Sequence, residues 1–178
     1  MTRRTAGRIG FLLAVTLAAL AAGVLTWQPG LRTGDPASAE RYIRWAMDWP
    51  EDAPAELLAE ETADGGRALV FRGPGEGRYL LWFRTGASDS RVLDPQVCEL
   101  HPAGEGIYGN YLFRGGESIC CAVWCEEPAA AAVRVQFGLG TEQVFPLDGT
   151  PSLVLAPRGW GEQSTAWFEV CDADGSEL

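Results

Sequence analysis

The chain has 178 residues, 47% of them apolar, and a formal net charge of −10. This length suits one ordinary domain with additional segments, and the apolar fraction and seven tryptophans argue against intrinsic disorder. All 14 basic residues are arginines, which excludes mechanisms that need a lysine, such as Schiff-base chemistry. After residue 27 the chain carries 11 arginines against 24 acidic residues, a formal charge of −13. A body this acidic repels phosphate backbones, so we expect no nucleic-acid partner.

The N-terminal segment combines a basic tail, residues 1–8, with an uncharged apolar run, residues 9–27. A helix rises about 1.5 Å per residue, so a run of 19 residues is long enough to cross a bilayer core. The basic flank predicts that the chain crosses the cell membrane once. Residues 1–8 are then in the cytoplasm, and the C-terminal domain is outside the cell. A secreted form, cleaved after the small residues "ALA" at 19–21, is the alternative.

Residues 28–62 are predicted to form a juxtamembrane linker with a short amphipathic helix. Asp35 and Pro36 suit the start of that helix, and Pro50 suits its end. Its expected apolar stripe is Ala39, Tyr42, Ile43 and Ala46, widened by Trp45 and Trp49. The helix either lies on the membrane or covers one end of the following domain, and its mixed charges favour the second role. The segment "PAELLAEE", residues 54–61, is expected to add a further helical turn or two.

Residues 63–178 are predicted to form an extracytoplasmic antiparallel β-sandwich. Short apolar runs alternate there with turns rich in Gly, Pro and Asp, which is typical of eight or nine short strands. Several runs have a period of two: Val133, Val135 and Phe137 are expected on one face of a strand.

Strand and turn patterns carry a resemblance over about 110 residues. The stretches "AAVRVQFGLGTEQVFPLDGTPSLVLA" and "STAWFEVCDADGSEL" resemble the ending of small bacterial extracytoplasmic β-domains. The stretches "GIYGNYLFRGGESIC" and "DGGRALVFRG" are similar to uncharacterised single-pass proteins of Gram-positive bacteria. The resemblance implies an Ig-like fold and supplies no catalytic residues. The cysteine content departs from it, since such domains usually lack cysteines.

The stretch "SICCAVWC", residues 118–125, holds three of the five cysteines. As a strand, it would place Ile119, Cys121, Val123 and Cys125 on one face and Cys120, Ala122 and Trp124 on the other. Cys121 and Cys125 would then lie roughly 13 Å apart, too far to share a zinc ion without a bend. The pattern therefore predicts a central strand with buried, inert thiols. Disulfides stay open among the five cysteines, which are Cys98, Cys120, Cys121, Cys125 and Cys171.

His101 is the only histidine and is expected to be exposed near a strand end. A sortase-like Cys–His enzyme is an alternative, but no arginine follows Cys171, and Cys120 follows His101 too closely for that family. The stretch "DADGSE", residues 172–177, suits a turn at Asp174 and Gly175 better than a calcium loop, which needs 12 residues. We therefore predict no catalytic, cofactor-binding or metal-ligating residues.

These observations predict a non-catalytic binding domain, anchored in the cell membrane by residues 9–27, whose partner is another protein of the cell envelope. A pseudopilin-like structural subunit is the alternative, because "GRIGFLLAVTLAAL" resembles the start of that family's apolar helix. That family's glutamate would fall at Val15, and Pro29 and Gly30 would break its long helix.

Overall fold

A computed structural model describes residues 30–178 except 64–65, 86–91, 115–116, 160–161 and 164. The basic tail and the apolar run 9–27 lie outside the described residues. Within the described part, the structure has no helix that is both long enough and apolar enough to span a membrane.

The described chain is mainly β, as predicted, and every strand pairing in it is antiparallel. It contains one α-helix, α1 (Pro36–Ala46), and a 3-10 turn at Pro74–Glu76 between the second and third strands. The strands are β1 (Glu56–Ala63), β2 (Gly66–Arg72), β3 (Arg78–Thr85), β4 (Val92–Gly104), β5 (Ile107–Arg114), β6 (Glu117–Cys125), β7 (Ala132–Phe137), β8 (Gln143–Pro146), β9 (Ser152–Pro157) and β10 (Ala166–Cys171).

The strands form a seven-stranded sheet in the order β1-β2-β3-β4-β5-β6-β9 and a three-stranded sheet in the order β10-β7-β8. The larger sheet curls until Cα atoms of its two edge strands, β1 and β9, come within 8 Å of one another. The long strand β4 pairs with β3 along its first part and with β5 near its end. Both ladders contain a register shift, and such bulges increase the local twist that a curled sheet requires.

Three apolar clusters hold these layers together. The inner core fills the concave face of the curled sheet with Ala68, Val70, Leu80, Leu100, Leu112, Ala122 and Trp124. On the convex face, the helix-side core joins α1 to β2 and β3 through Ala39, Tyr42, Ile43, Ala55, Leu69, Phe71, Tyr79, Leu81 and Phe83. The small-sheet core joins β6 and β9 to the three-stranded sheet through Ile107, Cys121, Val123, Cys125, Ala130, Val133, Val135, Phe137, Val154, Ala156 and Val170.

Helix α1 begins where the sequence predicts. The Asp35 carboxylate accepts a hydrogen bond from the Ser38 backbone N–H at 3.3 Å, and Pro36 occupies the first turn. The helix buries Ala39, Tyr42 and Ile43 against the sheet, so it covers the β-domain. The apolar stripe is narrower than expected, since Trp45 and Ala46 are exposed.

The helical turns expected at 54–61 are wrong, because β1 occupies this segment. It pairs with β2 from Glu56 opposite Arg72 to Ala63 opposite Gly66, across a bulge. Leu57 packs against the helix-side core, whereas Leu58 packs against the inner core on the opposite face. Helix propensity differs by only tenths of a kcal/mol per residue, so pairing with a neighbouring strand overrides it. β-structure therefore begins at Glu56.

Candidate functional site

Strand β6 lies between β5 and β9, which confirms that "SICCAVWC" belongs to an interior strand. Cys121, Val123 and Cys125 belong to the small-sheet core, whereas Ala122 and Trp124 belong to the inner core. All five of these side chains are at most 1% exposed. Covered faces on both sides explain why residues 119–125 of this strand are all apolar or cysteine.

All five cysteines lie in the described part of the chain, and none of them forms a disulfide there. Burial raises the pKa of Cys121 to about 12 and that of Cys98 to about 11. Burial is also the main cause that raises the pKa values of Cys125 and Cys171. Only the thiolate is a good nucleophile or metal ligand, so burial disfavours the reactive form of these four thiols.

His101 is exposed on β4, opposite Gly109 of β5, before the turn that follows Gly104. Among the residues that the structure describes, no group of three or more His, Cys, Asp or Glu side chains is placed to hold a metal ion. The Asp172 carboxylate accepts the backbone N–H groups of Asp174 and Ser176, each at 2.9 Å. This closes the turn expected at the C-terminal "DADG", with Gly175 in the left-handed region at φ 82°.

A buried polar cluster, which the sequence analysis did not predict, lies where β3 begins and β6 ends. Arg78 is 6% exposed, and its guanidinium donates to both Glu126 carboxylate oxygens, from Nε at 2.6 Å and from Nη2 at 2.9 Å. Its Nη1 donates to the Glu76 carbonyl oxygen at 2.6 Å. The Trp124 indole N–H also donates to Glu126, at 2.7 Å, and the guanidinium lies 5.2 Å from the Tyr108 ring centroid.

This cluster anchors the inner core to the strand ends. The hydrogen bond from Arg78 lowers the pKa of Glu126, and the same bond raises the pKa of Arg78. A bidentate arginine–carboxylate pair with further hydrogen bonds is the arrangement in which a buried ion pair is fully satisfied. The described contacts of Arg78 and Glu126 are all with groups of this chain, which is typical of a structural cluster. Arg78 and Glu126 are 48 positions apart in the chain, so no local sequence pattern indicates that they meet.

The outer face of the three-stranded sheet carries large apolar side chains that are exposed to solvent. Trp167 is 39% exposed and Val144 is 55% exposed, and Leu139, in the turn after β7, is 93% exposed. Trp167 lies opposite Gln136, and Val144 lies opposite Arg134 on the same outward-facing rows. The sequence alternation of β10 already separates Trp167 from its inward neighbours. Arg134 and Glu169 lie opposite one another on this face, and the segment 129–178 that supplies the three strands and most of their loops carries two arginines and seven acidic residues.

The three-stranded sheet is held tightly on the curled sheet beneath this surface. The Phe168 ring lies directly over Gly109 of β5, where any Cβ atom would overlap it. The Tyr111 hydroxyl donates to the Ala166 carbonyl oxygen at 2.8 Å, which joins β5 to the start of β10. The exposed face is therefore carried on a rigid support. A second exposed tryptophan, Trp45 at 41%, lies on α1.

Comparison with protein-family models, with curated proteins and with solved structures finds no significant match to this chain. The functional argument therefore depends on the described geometry and on the sequence patterns.

Proposed function

We propose that the chain is a non-catalytic, membrane-anchored extracytoplasmic domain that binds another protein of the cell envelope. The binding surface is the outer face of the three-stranded sheet, centred on Trp167, Val144 and Leu139. The observation that carries this proposal is the exposure of these three large apolar side chains on and beside one sheet face. Tryptophan is enriched among the residues that contribute most to protein–protein affinity.

The charge around this surface indicates the chemistry of the partner. An acidic surround accelerates association with a basic surface and disfavours acidic competitors. The partner is therefore a protein whose contact surface combines basic side chains with an apolar pocket for Trp167. The raised thiol pKa values support the non-catalytic part of the proposal, because a protonated thiol is a poor nucleophile.

The Ig-like and membrane-anchored parts of the proposal have their own support. Two packed antiparallel sheets around an apolar layer agree with the resemblance to extracytoplasmic domains of Gram-positive bacteria. The apolar run 9–27 and its basic flank support a single membrane crossing, with the β-domain outside.

Membrane topology is tested on the full chain. The protein should stay in the membrane fraction after a carbonate wash, and external protease should cleave it beyond Cys98. Cytoplasmic expression of residues 31–178 alone gives the protected control. A mature soluble protein that begins near Ala22 would contradict the anchor.

Partner binding is tested by placing a photo-crosslinking amino acid at position 144 of the full chain in intact cells. We expect one dominant crosslinked envelope protein, which Trp167→Ala removes and Trp45→Ala leaves unchanged. Both variants remove an exposed tryptophan, so loss of the crosslink with both would indicate a general defect. A crosslink that survives Trp167→Ala would show that this face is not the binding surface.

A further inference from the structure

We infer that the exposed face of α1, with Trp45 and Arg41, rests on the lipid headgroups of the membrane that holds the chain. This inference rests on the proposed membrane anchor, and it assigns the second exposed tryptophan a different role from Trp167. A lipid surface is the occupant of this helix face.

The helix presents two contrasting faces. Ala39, Tyr42 and Ile43 are buried in the helix-side core. On the other side, Trp45 is 41% exposed, and the Arg41 side chain is 60% exposed with only a 3.9 Å ion pair to Asp35. The ring centroid of Trp45 lies 5.5 Å from that of the buried Tyr42, so a packed neighbour supports the exposed indole. Tryptophan and arginine are the side chains that suit the membrane–water interface.

The charge distribution determines which surface can approach an anionic membrane. Residues 28–50 carry three arginines and three acidic residues, a net charge of zero. Residues 51–178 carry 8 arginines and 21 acidic residues, a formal charge of −13. The negative surface potential of anionic lipids therefore repels the β-strands and leaves the helical segment as the surface that is repelled least.

The length of the connection keeps this face near the bilayer. Only eight residues, 28–35, separate the apolar run from α1 in the sequence. A fully extended chain spans at most about 3.6 Å per residue, which limits this connection to about 29 Å. Along the chain, α1 is therefore the described element that begins nearest to the proposed anchor.

The test uses the full chain reconstituted into liposomes of phosphatidylcholine and phosphatidylglycerol, with acyl chains that are either ordinary or brominated. Bromine quenches the fluorescence of tryptophans that reach the bilayer. Wild type, Trp45→Phe and Trp167→Phe are compared, so that the other tryptophans, including Trp27, contribute a common background. The melting temperature of each variant serves as the folding control.

We expect Trp45→Phe to lower the fraction of emission that brominated lipid quenches, and Trp167→Phe to raise it. Trp45→Phe should have this effect in vesicles of phosphatidylcholine alone as well, because residues 28–50 carry no net charge that anionic lipid would attract. Equal quenched fractions in the two variants would overturn the inference while leaving the anchor intact. Failure of the wild type to float with the liposomes would instead overturn the proposed anchor, and this inference with it.

Discussion

The curled sheet covers the two halves of its convex face in different ways. On the β2–β3 half, one helix packs through large aromatic side chains such as Tyr42, Phe71 and Phe83. On the β5–β6–β9 half, a second sheet packs mostly through smaller side chains such as Val123, Val133 and Cys121, with the buried ring of Phe137 among them. Each half also presents one exposed tryptophan, Trp45 on the helix and Trp167 on the small sheet.

The difference follows from the shapes of the covering elements. A helix touches a sheet along a single stripe, so large rings are needed to fill the space on either side of it. The edge-on contact of Trp49 with Tyr79, with ring centroids 4.5 Å apart, closes that space at the end of α1. A second sheet lies flat on the first, and short side chains then fill the layer between them. Small residues in β6 therefore reflect sheet packing rather than thiol chemistry.

The largest effect is expected from truncation of an aromatic residue in the helix-side core. Phe71 is fully buried, and Phe71→Ala should cost about 3–5 kcal/mol because it leaves a cavity that the helix cannot fill. Val133→Ala, in the small-sheet core, removes only two methyl groups and should cost about 2 kcal/mol. Denaturant unfolding measures both losses. A loss at Val133 as large as that at Phe71 would contradict this order.

The buried ion pair should have the next largest effect, because it joins β3 of one half to β6 of the other. Glu126→Gln leaves the Arg78 charge without its carboxylate and should cost about 3 kcal/mol. The pKa of Glu126 is lower in the folded state, so the pair contributes fully above the unfolded pKa of about 4.3. That contribution is lost as the pH falls toward the lowered pKa of the folded state.

The free energy of unfolding, measured from pH 7 to pH 3, checks both the cost of Glu126→Gln and the loss of the ion pair in acid. The stability of Glu126→Gln should depend less on pH than that of the wild type over the acidic part of this range. Glu127→Gln, at the neighbouring position, is the matched control, because the Glu127 carboxylate accepts the Ala129 backbone N–H and is not the partner of Arg78. An unchanged acid dependence in Glu126→Gln would contradict the structural role of the pair.

Alanine substitutions at two glycines compare how tightly the small sheet and α1 pack on the curled sheet. Gly109→Ala would force a methyl group into the Phe168 ring of the small sheet and should cost about 1–3 kcal/mol. Gly73→Ala meets two rings on the helix side, those of Trp49 and of the buried Tyr79, and should cost at least as much. Thermal unfolding of both variants measures the two losses, and a clearly smaller loss at Gly73 would contradict this expectation.

Cys121 tests whether the thiols of the small-sheet core are packing groups. Cys121→Ser places a hydroxyl in an apolar site and should cost about 1–3 kcal/mol, toward the lower end if the hydroxyl finds a backbone carbonyl. Cys121→Ala should cost less. EDTA and reductant should leave the thermal midpoint unchanged. A midpoint that falls with EDTA would indicate a metal site, and one that falls only with reductant would indicate a disulfide.

His101→Ala should have the smallest effect, because the side chain is exposed on β4. We expect a stability change within about 0.5 kcal/mol and an unchanged cellular phenotype. A lost phenotype at an unchanged melting temperature would favour a catalytic role for His101 and would contradict the proposed binding function.

Local pattern alone located several features of the molecule. Alternation placed Cys121, Val123 and Cys125 on one face of an interior strand, since the period of two is a property of the strand itself. The start of α1 followed from Asp35 and Pro36, whose effects on a helix terminus act over a few residues. The alternation along β10 likewise places Trp167 on the face opposite the buried Val170.

Other features depended on contacts between distant segments. The segment "PAELLAEE" has helix-forming residues, and only its pairing with β2 makes it a strand. Arg78 and Glu126 meet because β3 begins where β6 ends in the curled sheet. Which residues of α1 stay exposed depended on the width of its contact with the sheet. The sequence by itself thus determined the local elements and their faces, whereas the tertiary structure decided pairing, closure and exposure, because those energies arise between residues far apart in the chain.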